Sequence, residues 1–211
     1  GRQGQPLGGG VSYDLRHAYT FGIAAHAPGS AAIRLERYIA YWTRERGQPW
    51  RIAAYAETYG TPPTNLTLPP EAVSAAMSDV PMARRSGSLE AVRAADSEFS
   101  SDATKFGTGE AFGRYAAGDA QIFSGPGEFI SGPHAISESF GPPTEKNTLV
   151  WHPVHGEVAA SGDLGFTVGN AVFTGIREDG AQIRRRRECE ACGEALRPDE
   201  HFGSRIRRHG R

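Results

Sequence analysis

The chain has 211 residues, of which 38% are hydrophobic, and its formal net charge is −1. This length fits one large or two small domains, and the near-zero charge excludes a chain that binds polyanions over its whole surface. The 27 glycines and 14 prolines stay below the share that marks low-complexity chains. No apolar run is long enough to cross a membrane, and residues 1–30 lack the layout of a signal peptide. We therefore expect a folded chain without a membrane span.

Two stretches of the chain resemble each other. Ser12-Tyr13-Asp14-Leu15 precedes Ala18-Tyr19-Thr20-Phe21-Gly22, and Ser161-Gly162-Asp163-Leu164 precedes Gly165-Phe166-Thr167-Val168-Gly169. The first stretch has two extra residues, Arg16 and His17, after its Ser-x-Asp-Leu motif. From Ala18 and Gly165 onward, matching residues lie 147 positions apart. The pattern predicts either an internal repeat or two unrelated strands that each follow a Ser-x-Asp turn.

The first part of the chain reads as a hairpin followed by a linker. Apolar and polar residues alternate from Ile33 to Trp42, a polar turn contains Gly47, and the alternation resumes over residues 50–55. Residues 59–87 contain two Pro-Pro pairs, which resist helix and central strand and leave room for a short helix at Glu71–Met77 at most.

The second part opens with helices and ends with strands. Ser88 is a predicted N-cap for a helix that ends at Gly107, because apolar residues then recur at spacings of three or four. The later predictions, in chain order, are a helix at Glu110–Ala117, strands at Ala120–Ser124 and Glu128–Ser131, a loop or short helix at Pro133–Phe140, and strands at Leu149–Ala160 and Leu164–Ile176. Helices followed by an antiparallel meander indicate the α+β class.

Several motifs together resemble one superfamily. They are Asp96-x-x-Phe99, Gly109-x-x-Ala-Phe112-x-x-Tyr115-x-Ala-x-Asp119-Ala120, Gly132-x-x-Ala-Ile136, Leu149-x-Trp151-x-Pro153 and the segment 161–169. The set is similar to the nuclear transport factor 2-like superfamily, and in particular to its bacterial SnoaL-like domains of unknown function. Residues 11–58 resemble the last three strands of the same domain.

The resemblance implies a cone-shaped fold, in which a strongly curved antiparallel sheet packs on N-terminal helices around an apolar pocket. The expected organisation is then as follows: the last strands of a first copy at 1–58, a Pro-rich linker at 59–87, a second copy without its last strands at 88–178, and an Arg-rich tail at 179–211. On this interpretation the chain begins inside the first copy, so a cytoplasmic location is only the default expectation and a signal peptide can lie outside the sequence.

The two incomplete copies suggest how they combine. The sheet expected at 89–176 has an edge without a partner, so residues 33–58 could complete it as a permuted domain or in a strand-exchanged dimer. The segment 182–187 shows no strand alternation, so we expect no strand there. Two interpretations of the Arg-rich region 179–211 remain open: it is a genuine basic tail or a reading-frame artefact.

The resemblance also indicates the pocket residues. We expect Phe99, Tyr115, Trp151, His155 and Phe166 to line it. Where isomerases of the superfamily carry a general-base Asp, this sequence has Ser124, which cannot abstract a proton at neutral pH without an activating base. Ketosteroid-type isomerisation is therefore disfavoured, and the catalytic residues are unknown.

Other chemistry is weaker in this sequence. His152 and His155 lie three residues apart, which places them on opposite faces of a strand unless Pro153 bends it. Cys189 and Cys192 with two later histidines match no standard zinc spacing, so no metal and no cofactor is expected. The arginines after residue 181 lack interleaved aromatic residues, which makes nucleic acid an unlikely partner.

The sequence analysis thus favours a small-molecule-binding domain for a small apolar ligand, with catalysis left open, in a chain that forms a homodimer or a strand-exchanged dimer. The alternative is a non-catalytic dimerisation or protein-interaction module that uses the face of its sheet. A pocket with a buried polar group favours the first function, and a closed apolar interior favours the second.

Overall fold

The computed structural model describes residues 2–26, 34–58, 87–122, 129–141, 147–176, 182–187 and 204–206. The strands are β1 Arg2–Val11, β2 His17–His26, β3 Arg34–Thr43, β4 Arg51–Thr58, β5 Gln121–Ile122, β6 Ile130–Ser131, β7 Thr148–Val158, β8 Gly165–Ile176, β9 Gln182–Arg187 and β10 Ser204–Ile206. The helices are α1 Leu89–Phe106, α2 Thr108–Tyr115 and α3 Pro133–Ser139. These elements confirm the α+β class, while the predicted cone shape remains a prediction. No described helix is long and apolar enough to cross a membrane.

The strands form three antiparallel sheets. The first sheet has the order β1-β2-β3-β4-β10, the second pairs β5 with β6, and the third has the order β7-β8-β9. The hairpin predicted from residues 33–55 is β3–β4, and the two strands predicted near residues 120–131 are the short pair β5–β6. The linker predicted at 59–87, with its possible helix at Glu71–Met77, lies outside the described residues except for Gly87.

Helix α1 begins and ends where its sequence predicts. The Ser88 hydroxyl accepts a hydrogen bond from the Ala91 backbone N–H at 3.1 Å, and Glu90 lies in the first turn. At the other end Gly107 has a φ of 99°, which ends α1 and lets α2 start at the next residue. The prediction of α2 at Glu110–Ala117 is therefore two residues late at each end.

Two expectations about the sheets are wrong. Residues 182–187 were expected to form no strand, yet they are β9, paired along β8. An edge strand is held by its backbone and tolerates charged side chains, so an arginine run without alternation can still pair there. Within one chain, residues 34–58 also do not complete the third sheet, because β3 pairs with β2 and β4, and the described partners of β8 are β7 and β9; strand exchange between two chains stays a prediction.

The first and third sheets instead pack against each other. Tyr41 of β3 and Phe166 of β8 place their ring centroids 4.3 Å apart, and buried Ala54 and Val168 complete this cluster. We call this contact the inter-sheet layer; it also includes Tyr19, Ala53 and Leu164. The opposite side of the third sheet faces α1, so the β7–β8 hairpin is covered on both sides.

The backbone of β1 passes so close to Gly22 in β2 that a substitution at Gly22 tests the register of the β1–β2 pair. A Cβ atom at Gly22 would overlap the backbone carbonyl oxygen of Gln5, whereas a Cβ atom at Gly118 would meet nothing within 4 Å. We expect Gly22→Ala to lower the free energy of unfolding by about 1–3 kcal/mol and Gly118→Ala to change it by less than about 0.5 kcal/mol. Thermal unfolding of both variants measures this difference, and equal effects would contradict the register.

Candidate functional site

Three of the five predicted pocket residues meet in one aromatic cluster. The ring of Phe99 on α1 stacks on Tyr115 at 4.9 Å and contacts the edge of Trp151 at 4.7 Å. Phe112 on α2 contacts Phe99 at 4.7 Å and stacks on Phe140 at 4.6 Å. We call these five rings the aromatic cluster. None of them is fully buried, and Tyr115 is 37% exposed.

Sequence reasoning missed Phe112 and Phe140 as members of this site. Phe112 lies three residues before Tyr115 and therefore on the same face of α2, a signal that the motif already contained. Phe140 follows α3, and only the packing of α3 against α2 brings its ring to Phe112. That contact is long-range and had no local signal.

Asp96 fixes the cluster to the sheet. One of its carboxylate oxygens accepts a hydrogen bond from the Trp151 indole N–H at 2.7 Å, and the other accepts one from the Thr167 hydroxyl at 2.8 Å. One turn along α1, the buried Ser100 hydroxyl accepts a hydrogen bond from the Trp151 backbone N–H at 2.9 Å. The interior therefore contains polar groups, and each of these has a partner.

The other two predicted pocket residues lie on the opposite face of the sheet. Trp151 pairs with Ala171 across β7–β8, whereas His155 pairs with Val168, so the five residues 151–155 of β7 oppose the four residues 168–171 of β8. This β-bulge after Pro153 reverses the alternation. Trp151 and His155 lie four residues apart and would share a face of a regular strand, as one common pocket requires, but the bulge places them on opposite faces, and His155 and Phe166 belong to the inter-sheet layer with their rings 6.0 Å apart.

The same bulge changes the relation between the two histidines of β7. His152 pairs with Asn170 and His155 with Val168, which places both on one face of the sheet. His152 is exposed, while His155 is half-buried with its Nε2 3.5 Å from a Glu157 carboxylate oxygen. Within the described ranges, no group of three or more His, Cys, Asp or Glu side chains is arranged to hold a metal ion. Ser124, Cys189 and Cys192 lie outside those ranges.

A polar group is buried in the inter-sheet layer at Tyr41. Burial, together with the carboxylates of Glu157, Asp14 and Asp163, raises the pKa of this phenol far above its ordinary value of 10.0. The neutral hydroxyl lies 3.1 Å from the His17 Nδ1 atom, and the two groups share a hydrogen bond. Beside them an open cleft of about 460 Å³ runs between the Glu157 strand, His17 and the start of α1.

The two Ser-x-Asp turns contact each other at one end of this layer. The Tyr13 backbone N–H donates to an Asp163 carboxylate oxygen at 2.8 Å, and the Asp14 backbone N–H donates to the Ser161 hydroxyl at 3.4 Å. Within its own turn, each Asp accepts a hydrogen bond from the Ser hydroxyl two residues before it. We call this contact the turn clasp; it joins residues that are about 150 positions apart in the sequence.

Comparison of the chain with protein-family models, with curated proteins and with solved structures gives no match in any of the three.

Removal of the Asp96 carboxylate tests whether it anchors α1. We expect Asp96→Ala to lower the free energy of unfolding by about 2 kcal/mol, because the Trp151 and Thr167 donors lose a charged acceptor. Asp102→Ala is the matched control on the same helix, since the bond of Asp102 to the exposed Tyr115 hydroxyl is long, at 3.4 Å. Urea unfolding measures the free energy of unfolding of both variants. A loss in Asp102→Ala as large as the loss in Asp96→Ala would contradict the anchoring role of Asp96.

The hydrogen bonds of Asp14 in the turn clasp predict that the free energy of unfolding depends on pH in the acid range. Burial acts to raise the pKa of Asp14, but hydrogen bonds from the Ser12 hydroxyl and the Arg16 backbone N–H outweigh it, so the pKa lies below 3.8. The folded state therefore binds this proton less tightly than the unfolded state, and the stabilisation is complete above about pH 5 and is lost as the pH falls below 3.8.

We expect unfolding free energies measured from pH 6 to pH 3 to fall less steeply for Asp14→Asn than for the wild type below pH 4. Two curves with the same slope would show that Asp14 contributes no such linkage.

Proposed function

We propose that the chain is a small-molecule-binding domain of the SnoaL-like kind, which takes a small apolar ligand at the aromatic cluster. The observation that carries this proposal is the contact of five partly exposed rings from α1, α2, β7 and the end of α3. Partly exposed aromatic faces, held next to a few polar groups, are the usual lining of a ligand site.

The polar groups around the cluster favour a neutral ligand with an aromatic or alicyclic body. Each carboxylate oxygen of Asp96 accepts one hydrogen bond from the protein, and these two bonds orient Trp151 and Thr167. The exposed Tyr115 hydroxyl at the rim donates to Asp102 at 3.4 Å, so its oxygen can accept a hydrogen bond from a polar end of the ligand. A ligand carboxylate would meet the charge of Asp102, which disfavours anions.

We propose binding rather than catalysis at this site. A general base must point an acceptor atom at the proton that it takes, within hydrogen-bond reach. Both oxygens of Asp96 already accept hydrogen bonds from the protein, and the Asp102 carboxylate accepts one from the Tyr115 hydroxyl at the exposed rim. The cluster therefore supplies shape and apolar surface, and its polar groups hold the surrounding side chains in place.

Titration with the neutral probe 2-naphthol, followed by saturation-transfer NMR, tests the proposal. We expect binding by the wild type and about tenfold weaker binding by Phe112→Ala, which removes the ring between Phe99 and Phe140. Phe106→Ala is the matched control, because the Phe106 ring packs under Arg114 at 4.3 Å instead of joining the cluster.

Equal affinity of the two variants would contradict a site at the aromatic cluster. An absence of binding to the folded wild type would remove the proposal for ligands of this class.

A second candidate function, the non-catalytic dimerisation or protein-interaction module, is favoured by the inter-sheet layer and the turn clasp. Here the face of a sheet is used for association, between two parts of one chain. Apolar side chains from both sheets are buried in that contact, which is the composition of a stable protein interface.

A further inference from the structure

The β1–β2 and β7–β8 hairpins have the same register throughout. Val11 pairs with Ala18 and Val158 with Gly165, and at the far end Arg2 pairs with His26 and Leu149 with Phe173. Each residue of the first hairpin thus corresponds to the residue 147 positions later. Both hairpins contain one bulge, and in both it directly follows the proline that pairs with a glycine: Pro6 with Gly22, and Pro153 with Gly169.

The turns of the two hairpins also correspond at this offset. Ser12 N–H donates to the His17 carbonyl and Ala159 N–H to the Leu164 carbonyl, both at 2.8 Å. Leu15 has a φ of 59° and its counterpart Gly162 a φ of 71°. The two turns have equal length, so Arg16 and His17, which the sequence motif suggested as two extra residues, are not an insertion in the first turn. The Ser-x-Asp tripeptide is displaced by two positions within the second turn.

We infer that β1–β2 and β7–β8 are two copies of one hairpin, and that the turn ends at which they meet form a self-association surface, on which the partner of each copy is the other copy in the same chain. Six residues are identical at the constant offset: Pro6 and Pro153, Gly9 and Gly156, Val11 and Val158, Thr20 and Thr167, Gly22 and Gly169, Ala24 and Ala171.

The turn clasp is the contact expected when two copies meet head to head. Asp14 and Ser161 are counterparts, and they bond to each other through the Asp14 backbone N–H and the Ser161 hydroxyl. Contact between counterparts is what a two-fold, isologous interface produces near its axis. At the turn clasp the two hairpins therefore meet as two copies in a symmetric dimer meet near the axis.

The residues of the clasp also determine which copies pair. Two first hairpins would bring two Asp14 side chains together, and one oxygen of this carboxylate is already buried without a hydrogen-bond partner in the described part of the chain. The second hairpin places the neutral Ser161 at that position, and it adds Asp163 as the acceptor for the Tyr13 N–H. Pairing of the first hairpin with the second is therefore preferred to pairing of two first hairpins.

This inference rests on the second candidate function, for which it names the partner, and it is independent of the ligand site. The test uses the full chain with a specific protease site inserted between residues 58 and 87. After cleavage, native mass spectrometry on a dilution series gives the dissociation constant of the two fragments. We expect a 1:1 pair, which is weakened about tenfold or more by Ser161→Asp because that variant sets a carboxylate against Asp14.

The double variant Asp14→Ser/Ser161→Asp exchanges the two counterparts and is expected to recover most of the lost affinity, while Asp14→Ser alone is the control for damage to the first turn. If Ser161→Asp prevents folding, Asp163→Asn replaces it and is expected to weaken the pair about three- to tenfold.

Four results would overturn the inference. The first is a pair that Ser161→Asp, or Asp163→Asn in its place, leaves unchanged. The second is a double variant no better than Ser161→Asp. The third is a set of fragments that pair only with their own kind, and the fourth is an intact chain whose halves pair only between two molecules. Phe112→Ala is expected to leave the fragment affinity unchanged, so a failed ligand site and a failed hairpin pairing give different results.

Discussion

The β7–β8 hairpin must be covered on both faces, and the rest of the described structure depends on how this is achieved. One face packs on α1 through the bonds of Asp96 and Ser100. The other face packs on the first sheet through Phe166, Val168 and Tyr41. The described residues therefore form three layers, helix, sheet and sheet, and the middle layer holds the outer two together.

The bulge after Pro153 divides β7 into a part that joins the aromatic cluster and a part whose titratable side chains face the first sheet. Before the bulge, Trp151 faces the helices and joins an aromatic surface suited to an apolar ligand. After the bulge, His155 and Glu157 face the first sheet beside Tyr41 and His17, where titratable groups lie within an otherwise apolar contact. The two faces of a sheet cannot line one pocket, so the five predicted pocket residues belong to two places.

The sequence predicted the features that depend on neighbouring residues, and it missed the features that depend on contacts between residues far apart in the chain. The N-cap at Ser88, the stop at Gly107 and the alternation of β3 each depend on a few neighbouring residues, and all three are present in the structure. The bulge at Pro153, the strand of arginines at 182–187 and the ring of Phe140 depend on which backbone or side chain lies opposite. Periodicity carries no information about the partner, and the Ser-x-Asp motif even suggested an insertion where the hairpins have equal length.

Asp96 has a consequence for how a ligand could enter. Helix α1 is tied at its middle to β7 and β8 by a carboxylate and a hydroxyl, whereas α2 and α3 are held mainly by stacked rings and by each other. Stacked rings can slide at little cost, but a charged hydrogen bond between helix and sheet breaks only with a large loss. The helices that carry Phe112 and Phe140 pack on each other through buried Ala111 and Ile136, and α1 forms the wall of the aromatic cluster that is hydrogen-bonded to the sheet.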